Sequence, residues 1–456
     1  TGLIEPYDLA VLAADAGLVV TDFAPSVNQV GIYELDGTLR QVLGVAGGRP
    51  LAGAYHAGDF LIPAGVASTP WGGFVVAENS PPKVITAFAG NGDIVQQWFG
   101  PTAYGGPIFP DPDDPLLLYY LQANEGAQNC TLARARIDAA TGIGGAPEAY
   151  WKITEGPFPT EFACARGPTA AGSGITRLGN EKFVWWDSDN HFVMRAQGDD
   201  MVPVGFARRE AGGHLEVWQD DNGDHVVQAE ERHLSSQTFG DAGFVWGTMY
   251  ADEALDLYLL VGKVRYQPTR QLVMIPCTGT INGVPQWDVG ALRVVVDDLY
   301  PDIEPQWVGQ GRNGAMGVRK DTAGNIYVAW AAAPSSSGLG HSSQLTHTRL
   351  TKYDPVGGRL WEVGQKAMGA RHDGEIYNTW TLAGTLGDQY VAIADEGGLI
   401  HFYTTDGFYR GHLFQDPGRP TTPGPFTFVG GELFSGRVVQ DPASGRVYAY
   451  ENTLAG

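Results

Sequence analysis

Residues 72–100 read GGFVVAENSPPKVITAFAGNGDIVQQWFG, and residues 17–44 read GLVVTDFAPSVNQVGIYELDGTLRQVLG. The two stretches share one grammar. An apolar strand ends in an acid, a short loop leads to a second strand, and a glycine turn leads to a third strand that closes on glycine. The closing residues, Gly44 and Gly100, stand 100 − 44 = 56 positions apart, and an earlier strand from Pro63 introduces the second copy. Further along, the grammar returns in GAMGVRKDTAGNIYVAW (314–330) with HTRLTKYDPVGGRLWEVG (347–364), and in DQYVAIADEGGLIHFYTTDGFYRGHLF (388–414). Weaker copies cover 115–153, 173–206 and 243–288.

Self-similarity at a period near fifty residues, with hairpin turns inside each repeat, predicts four antiparallel strands per unit arranged in a ring, which removes exposed sheet edges. A solenoid of parallel coils would need shorter repeats, and a jelly roll would not repeat internally. Residues 1–456 therefore read as a single all-β domain, a β-propeller of four-stranded antiparallel blades, with seven blades expected and eight the alternative. The leftover pair LFSGRVVQ (433–440) and RVYAYENT (446–453) either closes the ring with the N-terminus or begins an eighth blade.

The pattern Pro-x-Gly-Val, then Gly-x-Ile/Val-Tyr/Val-Val-Ala-Asp/Glu, then x-Val-x-x-Phe-x-x-x-Gly, resembles NHL-type repeats. The resemblance is good over 62–100 and 314–364 and fair over 6–44 and 374–414. It implies a fold and leaves activity open, because such propellers serve as binding platforms, lyases and hydrolases alike.

Composition narrows the partners. Lys plus Arg number 29 against 51 Asp plus Glu, a formal net charge of −22. That surface repels nucleic-acid phosphates and anionic lipid and favours solubility and cations. No apolar run is long enough to span a bilayer. The opening Thr-Gly-Leu-Ile-Glu shows no signal peptide, as expected of a mature or excised form. Zincin, serine-hydrolase, phosphate-loop and dinucleotide signatures are all missing.

The sharpest chemical motif is DDNGDHVVQAEE (220–231), an EF-hand-like loop within an insertion expected around 212–236. Asp220, Asn222, Asp224 and Gln228 alternate as oxygen donors, Val226 offers its carbonyl, and Glu231 closes the twelve-residue loop, the pattern of a calcium site. His225 stands where that pattern wants glycine, and the flanks EVW and RHLSS do not read as long helices. A structural calcium clip is expected, not a sensor.

By the repeat grammar, second-strand ends and inter-blade loops emerge on one face. Second-strand ends supply Asp22, Glu78 with Asn79, Asp187 with Asp189, and Asp395 with Glu396; inter-blade loops supply Tyr55 and His56, Arg312 and Asn313, and Arg371, His372, Asp373 and Tyr377. His191 and His341 fall in second-strand loops. From these, Glu78, Asp187, Arg312 and Glu396 are candidate ligand-binding residues, and His56, His372, Tyr377 and Arg371 candidate catalytic ones. Two functions fit: a secreted, calcium-stabilised propeller that binds carbohydrate or a protein partner, or a polysaccharide lyase or hydrolase with acid–base residues at the channel mouth. Histidines converging there would alternatively hold a second divalent metal. A loop histidine is, however, more often a plain surface residue. The tryptophans, including Trp71, Trp98, Trp151 and Trp185, sit in strand patterns and are expected between sheets.

Three cysteines are too few for a disulfide scaffold, and no Cys-x-x-Cys is present. Cys130 and Cys164 flank one blade on the same face, so a bridge between them is expected, with Cys277 free; that pairing implies an extracellular or periplasmic home.

Overall fold

The structure is a computed structural model that describes residues 2–12, 17–80, 83–100, 104–123, 130–142, 144–154, 156–162, 172–187, 190–210, 212–239, 249–262, 270–299, 314–332, 347–364, 379–395, 399–413 and 433–453. Among these residues, strands and three short 3₁₀ turns make up the regular structure. No helix among the described residues is long and apolar enough to cross a membrane.

The fold is a β-propeller, all-β and built from successive antiparallel sheets whose strands follow chain order. Glycine turns explain the regularity. Gly37, Gly92, Gly357 and Gly407 join the third and fourth strands of four different sheets at φ 87°, 87°, 90° and 90°. Each donates its N–H to the carbonyl three residues earlier, on Glu34, Ala89, Asp354 and Thr404, at 2.9, 3.0, 3.0 and 2.8 Å. A side chain at that φ costs about 1–2 kcal/mol, so the glycine in each copy fixes where the chain reverses.

Among the described residues seven sheets have four strands or more, and two have two strands, one an inserted hairpin and the other the C-terminal pair, here the eighth sheet. The first runs Pro6–Leu12 to Leu39–Leu43 and the second Pro63–Ser68 to Ile94–Gly100. The third, Tyr104–Pro110 to Gly144–Lys152, gains Ala52–Ala54 on its outer edge. The fourth begins at Ser173–Leu178 and continues past its fourth strand, Asp200–Arg209, into His214–Gln219 and Arg232–Thr238, so it has six strands. The fifth, Met249–Ala251 to Arg293–Val296, carries an inserted hairpin, Cys277–Ile281 with Val284–Trp287. The sixth spans Gly314–Lys320 to Arg359–Gly364, the seventh Thr379–Leu386 to Tyr409–Leu413, and the eighth pairs Leu433–Gln440 with Val447–Thr453.

From the third sheet onward each first strand packs on the next, and Leu433–Gln440 packs on Tyr104–Pro110 to complete the cycle. The approach is close: a Cβ on Gly384 of the seventh sheet would lie 2.3 Å from the Val438 carbonyl oxygen of the eighth. The C-terminal pair thus forms its own two-stranded sheet and closes on the third sheet, whereas the sequence left it to join the N-terminus or open a further blade. Tyr450 anchors it there by donating to the Pro115 carbonyl.

The first and second sheets pack on each other around Leu12, Val19, Ile32, Phe60, Phe74 and Phe88. The other face of the first sheet exposes Tyr7, Leu9, Val11, Leu39 and Val42. This pair joins the third sheet through Ala52–Ala54 and through Arg49, whose guanidinium lies 5.1 Å from the Tyr55 ring centroid and 5.4 Å from that of Tyr150.

Candidate functional site

Asp22, Glu78, Asp187 and Asp395 do end the second strands of four sheets. Where their side chains are described, they turn inward. Asp22 accepts from the backbone N–H groups of Ile4, Glu5 and Ala24 at 2.6, 3.1 and 3.2 Å and so pins the entering chain. Glu78 accepts from Leu61 N–H at 2.7 Å and takes both guanidinium nitrogens of Arg49, at 3.3 and 2.8 Å. Burial nonetheless pushes its carboxyl up to about 7. Asp187 is buried against Gly172 and acts electrostatically on Arg319 and Arg437.

His191 departs from expectation. It opens the third strand of the fourth sheet, paired with Asp187 and fully buried, where the sequence suggested a loop. Burial drives it down to about 3, so it is neutral in the fold. His56 is exposed in the turn after Ala52–Ala54. His341, Arg312, Asn313, Arg371, His372, Asp373, Tyr377, Asp189 and Glu396 lie outside the described residues. Trp71 and Trp98 also depart: on a turn and on the outermost strand of the second sheet, they are 63% and 49% exposed.

Two residues that sequence reasoning passed over are Arg319 and Arg437, on first strands of the sixth and eighth sheets. Both are buried. Arg437 donates to the Ser173 carbonyl at 2.7 Å and to its hydroxyl at 3.1 Å, tying the eighth sheet to the fourth; Arg319 lies 5.4 Å from the Tyr250 ring centroid, and burial lowers it to about 10. An arginine beside valine within a largely apolar first strand was the available signal.

The 220–231 loop is the connection between the two strands added to the fourth sheet. Asp220 is fully buried and accepts from His225 twice, from the backbone N–H at 3.2 Å and from ring Nδ1 at 2.6 Å. His225 itself sits at φ 62°, the left-handed conformation its place in the loop demands. Asp224 receives Val226 N–H at 2.8 Å and the Gln228 and Asn222 amides at 2.5 and 3.2 Å. Glu231 reaches back to Asn222 N–H at 3.2 Å and accepts from Trp218 Nε1 at 2.9 Å. Among the described residues no group of three or more His, Cys, Asp or Glu is disposed to hold a metal ion; these carboxylates are held instead by hydrogen bonds within the loop and from Trp218.

Beside the loop opens a cleft of about 580 Å³, lined by Gln219, Arg232, His233 and Leu234 of the added strands and by Thr278 and 286–290 of the inserted hairpin and the turn that follows it. Gln219 joins the two walls: its Oε1 accepts from Trp287 N–H at 2.8 Å, and its Nε2 lies 3.3 Å from His233 Nε2. Trp287 is locked by donating to the Leu255 carbonyl at 2.9 Å. Asp221, the second loop residue, takes Gln286 Nε2 at 3.3 Å and stands 3.8 Å from His233 Nε2.

Cys130 is disulfide-bonded and Cys277 is a free thiol, with Cys164 outside the described residues. No family model matches the sequence, and no curated protein matches it. Among solved structures, the chain is similar to the Dos1 propeller at 10% identity and TM-score 0.32, over 98% of this chain and 92% of that one. It is similar to BamB from Moraxella catarrhalis at 13% and 0.32, over 85% and 96%, and to Sqt1 from Saccharomyces cerevisiae at 6% and 0.37, over 99% and 93%. Scores of this size carry no weight of their own; the propeller assignment rests on the sheets.

Proposed function

We propose that this chain is a calcium-stabilised binding propeller of an oxidising compartment, extracellular or periplasmic, that engages carbohydrate or a protein partner. The observation that supports calcium is the backbone of the 220–231 loop. Its sixth residue is left-handed with its N–H on the first carboxylate, and its twelfth carboxylate reaches back to the third residue. Those are the turns a twelve-residue calcium loop makes to gather oxygens around an ion. Binding would exchange the Gln228–Asp224 and His225–Asp220 hydrogen bonds for ligation by Asp220, Asn222, Asp224, the Val226 carbonyl and Glu231. The Cys130 disulfide supports the compartment.

Calcium at about a hundred times its dissociation constant stabilises the folded state by about 2.7 kcal/mol. Chelation should therefore lower the melting temperature by a few degrees, and Asp224→Ala, an exposed position, should fold normally but lose that response. A wild-type melting temperature indifferent to chelator would end the calcium reading.

A further inference from the structure

We infer that the cleft between the added strands of the fourth sheet and the hairpin of the fifth binds an uncharged sugar chain, and that the 220–231 loop controls its shape through Asp221. The inference deepens the binding function proposed above and rests on it.

The cleft is built entirely from additions to the four-strand plan. Arg232, His233 and Leu234 belong to the sixth strand of the fourth sheet, Gln219 ends its fifth, and Thr278 and Gln286 belong to the hairpin. No propeller needs these elements to close its ring. They meet over a fixed floor, because Gln219 is 6% exposed and bonded to both walls. The packing below is tight: a Cβ on Gly205 would fall 2.4 Å from the Trp287 ring. At about 580 Å³ the volume falls within the roughly 300–1,000 Å³ of ligand clefts.

The lining selects the ligand class. Arg232 is already offset by Glu161 at 3.4 Å and Glu216 at 3.7 Å. Asp288 and Asp221 add negative charge nearby, on a chain of net charge −22, so a phosphate, sulfate or uronate gains nothing here. With Gln219 committed to Trp287 and His233, the lining offers the amide oxygen of Gln286, the hydroxyl of Thr278 and the carboxylate of Asp288, beside the apolar side chains of Val289 and Leu234, the latter 59% exposed. Hydroxyl groups both donate and accept, and the C–H face of a sugar ring is apolar, so a neutral glycan satisfies both halves of that lining.

Asp221 supplies the coupling. It lies between two candidate calcium ligands in sequence, yet its carboxylate faces the cleft, taking Gln286 and approaching His233. Any ion that rearranges Asp220 and Asn222 shifts Asp221 with them. By linkage, calcium and sugar then raise each other's affinity by one common factor, typically about 5–150-fold.

The test titrates the whole chain with maltose, cellobiose, lactose and N,N′-diacetylchitobiose, each with calcium and with chelator, by calorimetry and ligand-observed NMR. At least one should bind, more weakly under chelator. Leu234→Asp and Gln286→Ala, at exposed and half-exposed positions, should lower that affinity about tenfold or more while keeping the calcium-dependent melting shift. Binding by none of the four, with the melting shift intact, overturns the cleft and spares the calcium reading. Sugar bound equally with and without calcium overturns the coupling, and sugar affinity unchanged in both variants places binding elsewhere and overturns the site.

Discussion

The second and fourth sheets start from the same plan and end differently. In the second, Phe74, Val76 and Phe88 pack against the first sheet, and the acid that closes its second strand is held by Arg49 and Leu61 N–H. Little polar chemistry is left over. The fourth uses its first four strands in the same way, with Phe183, Trp185 and Trp186 inside, then keeps going. Two further strands, the 220–231 loop and the facing hairpin bring Gln219, Asp221, Arg232 and His233 to one place. Residues of the repeat build the sheet cores, and residues that break the repeat are the ones available for a ligand.

That division has a measurable form. Phe74 is fully buried and stacked on Phe88 at 5.0 Å between ring centroids. Phe74→Ala should cost about 3–5 kcal/mol, as truncations of buried aromatics do. Leu234→Ala, in the cleft, should stay within about 0.5 kcal/mol of wild type. Denaturant midpoints of the two variants decide it, and comparable losses would erase the distinction between repeat core and addition.

A second comparison sets Glu78 against His191, one buried ionisable group from each sheet. Glu78 sits near 7 in the fold against 4.5 for the ordinary carboxyl, so folding takes up a proton between those values. Its contribution, about 3 kcal/mol at about 1.36 kcal/mol per unit, is fully present below pH 4.5 and lost as pH rises through 7. His191 sits near 3 against 6.5, so its contribution is present above 6.5 and lost as pH falls toward 3. Between pH 4.5 and 6.5 the two oppose each other. Glu78→Gln should abolish the loss on the neutral side and His191→Gln the loss on the acid side, read as unfolding free energy against pH. A stability difference from wild type that does not change with pH would remove the corresponding group from the account.

Much of the repeat could be read directly from the chain, because its signals are local. Gly37, Gly92, Gly357 and Gly407 recur in sequence and take one backbone conformation in the structure, and Asp22, Glu78, Asp187 and Asp395 fall at equivalent strand ends. Their use was not legible. An acid at a strand end looks the same in sequence whether it faces a ligand or, like Asp22, accepts from Ile4 N–H eighteen positions earlier. His191 was misplaced for a related reason: WWDSDNHF reads as a polar loop, yet strand pairing begins at the histidine itself. The cleft left no trace, since its walls at 219, 232–234 and 286–290 meet only after two sheets have formed. Nor did ring closure, which is settled by which sheet Leu433–Gln440 packs against and not by its own residues.

The smallest expected effect bears on the one position where the calcium loop breaks its pattern. His225 holds φ 62°, which costs a residue with a side chain about 1 kcal/mol or more relative to glycine. Part of that is returned by the 2.6 Å contact of its ring with Asp220. His225→Gly removes strain and contact together, so the stability of the calcium-free protein should move by less than about 1 kcal/mol. Calcium affinity should respond more. Asp220 Oδ2, now held by the imidazole, becomes available to an ion, while the backbone N–H at 225 still steadies Oδ1 at 3.2 Å. Calorimetric titration of wild type and His225→Gly should show a several-fold rise in affinity. A fall in affinity would mean that the ring orients Asp220 toward the ion, and His225 would then be part of the site and not a departure from it.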